Sequence, residues 1–302
     1  MLASADPYRH MAKARAGQPQ HVQLAALLEE RAAEAYHQQL REAAITEALR
    51  DVTHAVALDV GCGTGPFCRA LSSRPQVAKV LGVDPCATFI DEARRLSSNP
   101  QKESYVCGRA SAVPLGDHGA DLVIFWTVLL HLHPDDVNSA LQEARRVLRP
   151  GGRVLLGDND MGRWTIADAA HDPLHAPLQF YIDSFVAEPD LARRFPELLC
   201  GIGLQPGELE VSSVIDRTAT SYGCRHVMLR AIEAFKLADK VGDQLIEAMK
   251  HEVQRRLAAD NFQITLSYAF CVGSDLNRAA ANSEPNPSSD QDDINEVVFG
   301  ML

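Results

Sequence analysis

Three glycines at alternate positions, Gly61, Gly63 and Gly65, mark the stretch of this 302-residue chain with the clearest capacity for chemistry. They follow the apolar, β-branched run of residues 56–60 and precede Pro66, an order that predicts a strand, a tight loop and a helix start. Because glycine has no Cβ atom, the loop backbone can lie against a ligand, and the unpaired N–H groups of the helix start face a polar or anionic group. The stretch therefore predicts a loop that binds a cofactor.

A second feature is Asp84, an acid that closes the next predicted strand, residues 79–83. An acid at the tip of such a strand accepts two hydrogen bonds from the hydroxyls of a ribose. The glycine spacing then narrows the class of cofactor. It is G-x-G-x-G, whereas a dinucleotide-binding loop has G-x-G-x-x-G, and Pro66 and Phe67 stand where its third glycine would fall. The spacing therefore argues against a nicotinamide dinucleotide.

With both features in place, residues 56–85 resemble the class I S-adenosylmethionine-dependent methyltransferases, whose first motif ends in G-x-G-x-G and whose second strand ends in a ribose-binding acid. The sequence Leu-Arg-Pro-Gly-Gly-Arg-Val-Leu-Leu at residues 148–156 resembles that family's junction between a helix and the fifth strand. The resemblance covers residues 55–160 and implies S-adenosylmethionine as the cofactor. The cofactor-binding residues that it implies are Asp59, Gly61, Cys62, Gly63, Gly65, Asp84, Pro85, Ala110, Ser111, Trp126 and Thr127.

One residue departs from the family pattern. The third predicted strand, residues 104–107, is followed by Gly-Arg-Ala-Ser, where the family usually has Gly-Asp-Ala-Glu and the Asp accepts a hydrogen bond from the adenine amino group. Arg109 stands in the place of that Asp, and a guanidinium cannot accept a hydrogen bond. Either another residue meets the amino group, or Arg109 points to solvent or to the substrate.

The remaining pattern predicts an α/β fold, with a doubly wound, seven-stranded and mostly parallel sheet whose last strand is antiparallel. Helical spacing of apolar residues predicts an N-terminal helical cover in residues 1–50, before a methyltransferase domain in residues 51–276. Within that domain we expect an irregular cover at residues 161–188 and a helical insertion at residues 221–258. Residues 277–302 are rich in Ser, Asn, Pro and Asp, which predicts a disordered acidic tail.

Charge and composition limit the class of partner. The formal net charge is −11, which disfavours nucleic acid, because binding to phosphates needs an excess of Lys and Arg. Residues 125–128 also lack the (Asp/Asn/Ser)-Pro-Pro-(Tyr/Phe) motif that family members acting on base amino groups carry at this place. No run approaches the ~20 apolar residues of a membrane span, and the N-terminus does not have the pattern of a signal peptide. We expect a cytoplasmic protein with a small-molecule acceptor and no membrane partner.

The cysteines give no sign of metal or disulfide chemistry. There are seven, with no C-x-x-C pair, and several lie in apolar runs. We expect buried thiols and no metal site. The sequence also has no G-x-S-x-G motif and no helical pair of metal-ligating histidines, which argues against a hydrolase or a metalloenzyme.

Aromatic residues occur in the segments that the family folds over its substrate. In the N-terminal segment the candidates for lining the site are Tyr8, Met11 and Tyr36, and in the cover they are Trp164, Phe180, Tyr181 and Phe185. We expect some of the cover residues to line a largely apolar acceptor pocket. The alternative is that these side chains anchor their segments to the core.

Two histidines follow the fourth predicted strand, where the resemblance implies a loop beside the transferred methyl group. An imidazole there could take a proton from the acceptor near neutral pH. We predict His131 as this base, because His133 directly precedes Pro134 and an acidic first turn, where it serves as a helix cap or a surface residue. The alternative is that His131 packs structurally against the cofactor loop. The other candidate bases are Asp158, at the tip of the fifth strand, and His171 and His226.

The resemblance implies methyl transfer to a small organic acceptor, an in-line displacement in which the protein mainly aligns the reactants and excludes water. Two other functions stay open. The same fold could use the positive charge of a bound sulfonium to promote a cyclisation or another rearrangement, or it could act as a nonenzymatic scaffold. The glycine motif and Asp84 argue against a scaffold, since an idle site has no physical need for either.

Overall fold

The computed structural model describes residues 19–166, 171–238 and 241–276, which form two compact units. The core unit comprises residues 19–158, 194–210 and 270–276, and the second unit comprises residues 159–166, 171–193, 211–238 and 241–269. The predicted lining residues Tyr8 and Met11 and the predicted acidic tail, residues 277–302, lie outside the described residues. The predicted domain boundaries stay a prediction.

Helices and strands alternate through the first part of the chain, as expected for βαβ units. The helices are α1 (Pro19–Ala33), α2 (Ala35–Ala48), α3 (Pro66–Ser72), α4 (Ala87–Leu96), α5 (Pro134–Val147), α6 (His175–Phe185), α7 (Phe195–Gly201), α8 (Leu229–Leu237) and α9 (Asp243–Ala258). The strands are β1 (Ala55–Val60), β2 (Val77–Asp84), β3 (Glu103–Cys107), β4 (Ala120–Trp126), β5 (Leu148–Asn159), β6 (Thr165–Ile166), β7 (Gln205–Pro206), β8 (Glu210–Asp216) and β9 (Ile264–Ser274). None of the helices in this described part of the chain is long and apolar enough to cross a bilayer.

The strands form one sheet in the order β3-β2-β1-β4-β5-β9-β6, and β7 and β8 also pair with β9. The pairs β1–β2, β1–β4, β2–β3 and β4–β5 are parallel, whereas β6 and β7 run antiparallel to β9. The near-continuous apolar sequences of β1 and β4 are buried, as expected for central strands covered on both faces. The predicted doubly wound, mostly parallel sheet with an antiparallel last strand is confirmed. The two-residue strands β6 and β7 are too short to show a periodicity in the sequence.

One helix lies where the sequence predicts an irregular cover. Helix α6 occupies part of residues 161–188, so the prediction of irregular structure is wrong there. Pro177 is the third residue of this helix, in the first turn, where a backbone N–H group would have no partner inside the helix. The proline therefore does not break the helix.

The predicted helical insertion lies between β8 and β9, where α8 and α9 follow a π-helical turn, Gly223–Met228. Arg256 of α9 donates two hydrogen bonds to Asp172, at 2.5 and 3.0 Å, and one to Glu252 at 2.8 Å. Asp172 in turn accepts from the N–H of Leu174 at 2.9 Å, just before α6. Both Asp172 and Arg256 are buried, so this ion pair fastens α9 to the segment that begins α6.

Arg256→Met should lower the free energy of unfolding by about 3–5 kcal/mol, because it leaves the buried Asp172 carboxylate without its charged partner. Arg255→Met is the matched control, since the Arg255 side chain is 62% exposed and pairs with Glu252 on the same helix. Its loss should change the stability by less than about 1 kcal/mol. Urea unfolding followed by circular dichroism measures both. Equal losses in the two variants would contradict a structural role for the buried pair.

Candidate functional site

The predicted cofactor-binding loop, residues 61–65, follows β1 at the carboxyl edge of the parallel strands. Its three glycines all have positive φ, at 76°, 54° and 81° in chain order. The N–H groups of Gly61 and Cys62 donate to the carbonyl of Val83 at 2.7 and 3.1 Å, which ties the loop to β2. A Cβ atom on Gly61 would overlap the Val128 side chain, so both the backbone conformation and the close contact require glycine at this position.

Asp84 joins the tip of β2 to this loop. Its Oδ2 atom accepts a hydrogen bond from the N–H of Gly63 at 3.0 Å, and its Oδ1 atom accepts one from the N–H of Cys86 at 2.8 Å. Burial raises the pKa of the Asp84 carboxyl to about 6, although both hydrogen bonds act in the opposite direction. A carboxylate can accept about four hydrogen bonds, so each oxygen keeps the capacity to accept one from a ribose hydroxyl.

Asp59 and two thiols lie beneath the loop. The Asp59 Oδ2 atom accepts from the thiol of Cys68 at 3.2 Å, and the side chain is 1% exposed. Burial raises the pKa of the Asp59 carboxyl to about 7, Cys68 opposes this shift, and the Asp84 carboxylate adds to it. Burial also raises the pKa of the Cys62 thiol to about 11. Asp59 and the Cys62 side chain are therefore buried next to the loop, and their predicted role in cofactor binding stays a prediction.

Helix α1 packs on the loop from the other side. A Cβ atom on Gly63 would lie 3.1 Å from Leu28 Cδ1. Glu29 accepts two hydrogen bonds from Arg69 of α3, at 2.9 and 2.7 Å, and Arg69 also donates to the carbonyl of Thr64 at 2.7 Å. The N-terminal helix is thus in direct contact with the predicted cofactor loop.

The chain turns sharply after β4. The Trp126 ring lies 5.1 Å from that of Phe67, and a Cβ atom on Gly157 would overlap the Trp126 ring. Thr127 has a φ of 56°, which is rare for a β-branched residue and costs about 1–3 kcal/mol. Its N–H donates to Gly157 O at 2.7 Å, and its Oγ1 atom accepts from Arg31 Nη2 at 2.9 Å. Sequence reasoning predicts Trp126 and Thr127 but misses Arg31, since an Arg on an amphipathic helix has the pattern of an ordinary surface residue.

Arg109 lies in the turn after β3, where it forms an isolated β-bridge with Ala112, and it is exposed. Both predicted directions of its side chain, toward solvent or toward the substrate, stay open. Ala110 is half-buried and Ser111 is exposed. The predicted role of Ala110 and Ser111 in binding adenine stays a prediction, as does that of the exposed Pro85 beside Asp84.

Two cysteines correct the expectation that all the thiols are buried. Cys107, the last residue of β3, and Cys200, in the last turn of α7, are exposed. The other five thiols are buried, and all seven are free.

His131 ends a turn of 3-10 helix just past β4, and its side chain is half-buried. Asp158 is 2% exposed, and its Oδ2 atom accepts from the N–H of Leu130 at 3.2 Å. Asp158 therefore positions the turn that carries His131, and the roles of His131 and Asp158 as candidate bases stay predictions. His133 caps α5, with its Nδ1 atom accepting from the N–H of Asp135 at 3.3 Å, which confirms its predicted capping role.

The remaining candidate bases, His171 and His226, lie in the second unit, where His171 is exposed and His226 is half-buried.

Several of the predicted aromatic residues serve as anchors. Trp164 is buried, and its Nε1 atom donates to Ser267 O at 3.1 Å. Tyr181 is also buried and stacks on Phe185, with ring centroids 4.9 Å apart. The anchoring interpretation therefore holds for Trp164 and Tyr181 within the second unit. Phe180 and Tyr36 are half-buried.

This chain is similar to a family of known domains and to several known proteins. Residues 58–156 match a family model described as a methyltransferase domain. The chain is 31% identical over 160 residues to an uncharacterized 37.1 kDa protein in transposon TN4556 of Streptomyces fradiae, over 52% of this chain and 46% of that protein. It is 28% identical over 194 residues to the O-methyltransferase resE of Aspergillus sclerotiorum, over 63% of this chain and 67% of that enzyme. The YcgJ protein of Bacillus subtilis has the same fold, with a TM-score of 0.51 at 17% identity, over 79% of this chain and 98% of that one.

The match spans less than half the length of the transposon protein. The matched residues 58–156 nevertheless contain the loop, Asp84 and the tip of β4, and this part of the chain is a methyltransferase domain of the class I S-adenosylmethionine-dependent type. The residues present fit this family's cofactor. The loop has room only for glycine at Gly61, and the fully buried Thr64 hydroxyl has no hydrogen-bond partner within the described residues. Asp84 keeps acceptor capacity beside that loop.

Asp84→Asn should weaken the binding of S-adenosylmethionine by about ten- to a hundredfold, because a hydrogen bond to a charged group contributes about 1.5–3 kcal/mol. Calorimetric titration near neutral pH measures the change. Asp91→Asn is the matched control, since the Asp91 side chain on α4 is 71% exposed. Unchanged affinity in Asp84→Asn would remove Asp84 from the cofactor site.

The raised pKa of Asp84 also predicts a pH dependence. Ribose hydroxyls donate to the ionised form, and the pKa of this carboxyl is about 6. Affinity for S-adenosylmethionine should be nearly constant above that pH and should fall below it, because the ligand binds the ionised carboxyl more tightly. The fall should level off once the affinity is about ten- to a hundredfold weaker, as in Asp84→Asn. The affinity of Asp59→Asn should still fall at low pH, whereas the affinity of Asp84→Asn should not depend on pH in this range. A flat profile in the wild-type protein would contradict the assignment.

Proposed function

We propose that this protein transfers a methyl group from S-adenosylmethionine to a small organic acceptor. The observation that carries the proposal is the hydrogen bond from the N–H of Gly63 to the buried Asp84 carboxylate. It brings a charged acceptor for ribose hydroxyls beside a loop whose glycines leave its backbone open to a ligand. Both lie at the carboxyl ends of parallel strands, where ligands bind in open α/β sheets.

When bound, S-adenosylmethionine supplies a methyl group activated by the positive sulfonium. The protein itself has to hold the cofactor, align it with the acceptor and shield both from water. The loop of residues 61–65 and Asp84 hold the cofactor, Trp126 and Thr127 flank it at the tip of β4, and Leu28 of α1 covers the loop. Alignment of the reactants and exclusion of water supply much of the rate enhancement in such a displacement.

The acceptor atom that we propose is an oxygen. The O-methyltransferase resE supports this choice, since the chain covers 67% of that enzyme. The net charge of −11 supports a small molecule over a nucleic acid. The acceptor that fits both observations is a small organic compound with a hydroxyl or carboxylic acid group.

His131 is the proton acceptor that we propose for a hydroxyl substrate. It lies on the turn that the Leu130 N–H fixes to Asp158, whereas His133 is engaged in capping α5. An imidazole changes its protonation state near neutral pH and can take the hydroxyl proton as the new bond forms. A carboxylic acid acceptor is already ionised and would not need this base.

The first test is calorimetric binding of S-adenosylmethionine, followed by mass spectrometry of small molecules that co-purify with the protein. Incubation with the acceptor found in this way should release S-adenosylhomocysteine and a product heavier by one methylene. Failure to bind the cofactor would overturn the proposal. Conversion of the acceptor without release of S-adenosylhomocysteine would favour a rearrangement, and binding without any conversion would favour a scaffold.

With a hydroxyl acceptor, His131→Asn should lower kcat by about a hundred- to ten thousandfold and remove the acidic limb of the pH profile, because the general base is lost. His251→Asn, at an exposed position on α9, is the matched control and should behave as the wild type. Assays at saturating cofactor measure kcat against pH. If His131→Asn kept the wild-type rate and profile, His131 would have only a packing role.

A further inference from the structure

The strained turn after β4 is held by a residue from a distant part of the chain. Arg31, in the last turn of α1, donates from Nη2 to the Thr127 Oγ1 atom at 2.9 Å, across 96 residues of sequence. Thr127 has a positive φ, and a β-branched residue keeps this conformation only where its surroundings hold it. Within the described residues the turn is also held by the backbone hydrogen bonds from Thr127 N–H to Gly157 O and from His131 N–H to Val128 O, and by the Leu130 N–H that donates to Asp158. Arg31 adds the contact that comes from α1.

The same turn meets the cofactor loop. Val128 directly follows Thr127 and packs so closely on Gly61 that a Cβ atom there would overlap it. Helix α1 touches the loop independently, through Leu28 at Gly63 and through the ion pair of Glu29 with Arg69. Helix α1, the turn after β4 and the cofactor loop therefore each contact the other two. The Arg31–Thr127 hydrogen bond is the contact between α1 and the turn.

We propose that Arg31 and Thr127 form a positioning pair that holds α1 over the cofactor loop and so sets the residence time of the bound cofactor. This inference rests on the proposed function. Neither side chain needs to touch the reacting atoms, since Arg31 acts through the Thr127 hydroxyl. Loss of the hydrogen bond frees the end of α1 and the β4 turn together. The cofactor then leaves faster, because the opening of a covering segment limits product release in many enzymes.

The test measures the dissociation rate of S-adenosylhomocysteine by stopped-flow competition. Arg31→Met and Thr127→Val should each speed dissociation by about tenfold, and the double variant should be no faster than either single one, because the two changes remove the same hydrogen bond. Thr127→Ser keeps the hydroxyl and should restore most of the residence time lost in Thr127→Val. The matched controls are Thr46→Val on α2 and Arg50→Met just after it. In the described structure the Thr46 hydroxyl donates to Glu42 O, and the Arg50 side chain pairs with Glu47.

A second readout needs no ligand. Amide hydrogen exchange in residues 127–131 should be about tenfold faster in Arg31→Met and in Thr127→Val than in the two control variants, because the turn has lost its tether. If the wild-type protein failed to bind S-adenosylhomocysteine, the proposed function would fall, and hydrogen exchange would still decide whether the pair positions the turn.

Three results would overturn the inference. A large effect of Arg31→Met with none of Thr127→Val would show that Arg31 acts on the ligand directly. Additive effects in the double variant would show that the two residues act separately. Unchanged hydrogen exchange in both single variants would show that this hydrogen bond does not restrain the turn.

Discussion

The hydrogen bond between the Asp84 carboxylate and the N–H of Gly63 is the interaction on which the cofactor site depends. A carboxylate buried at a strand tip is costly unless its oxygens are paired, and here two backbone N–H groups supply the partners. The loop presents one of them because its glycines take positive φ, which turns the Gly63 N–H toward β2. The buried acid needs the N–H group that the loop presents, and the loop is held to β2 by the acid. Neither would form the site alone.

A second constraint comes from the close approach of segments that are far apart in sequence. Residues 28–31, 61–65 and 127–131 meet around the loop, through Leu28, the Gly61–Val128 contact and the Arg31–Thr127 hydrogen bond. Strain at a position such as Thr127 persists only when neighbouring contacts fix it. The strained turn and the helix that covers the loop are thus parts of one packing arrangement, which links binding at the loop to the order of α1.

The features that the sequence reveals are those in which neighbours along the chain decide the outcome. The glycine loop, the strand-tip acid Asp84 and the capping role of His133 are local patterns, and the sheet follows from the apolar runs that alternate with helices. The sequence does not reveal Arg31, whose partner lies 96 residues away and whose helical position is typical of surface residues. The sequence also does not reveal α6. Pro177 ordinarily breaks a helix, and it is tolerated here only because it lies in the first turn. The exposure of Arg109 depends on how its turn is closed, which no short pattern encodes.

Asp59 and Asp84 link the cofactor site to the stability of the fold. Burial raises the pKa of both carboxyls above the ordinary value of 3.8, to about 7 and about 6. Between the ordinary and the raised values the native protein binds more protons than the unfolded chain, so the free energy of unfolding contributed by these groups falls as the pH rises through that window. Near neutral pH the free protein therefore carries the full desolvation cost of an ionised Asp84. A ligand whose hydroxyls donate to that carboxylate offsets part of this cost, and because it binds only the native state it also shifts folding by mass action. The acid that recognises the ligand thereby makes the stability of the fold depend on the ligand.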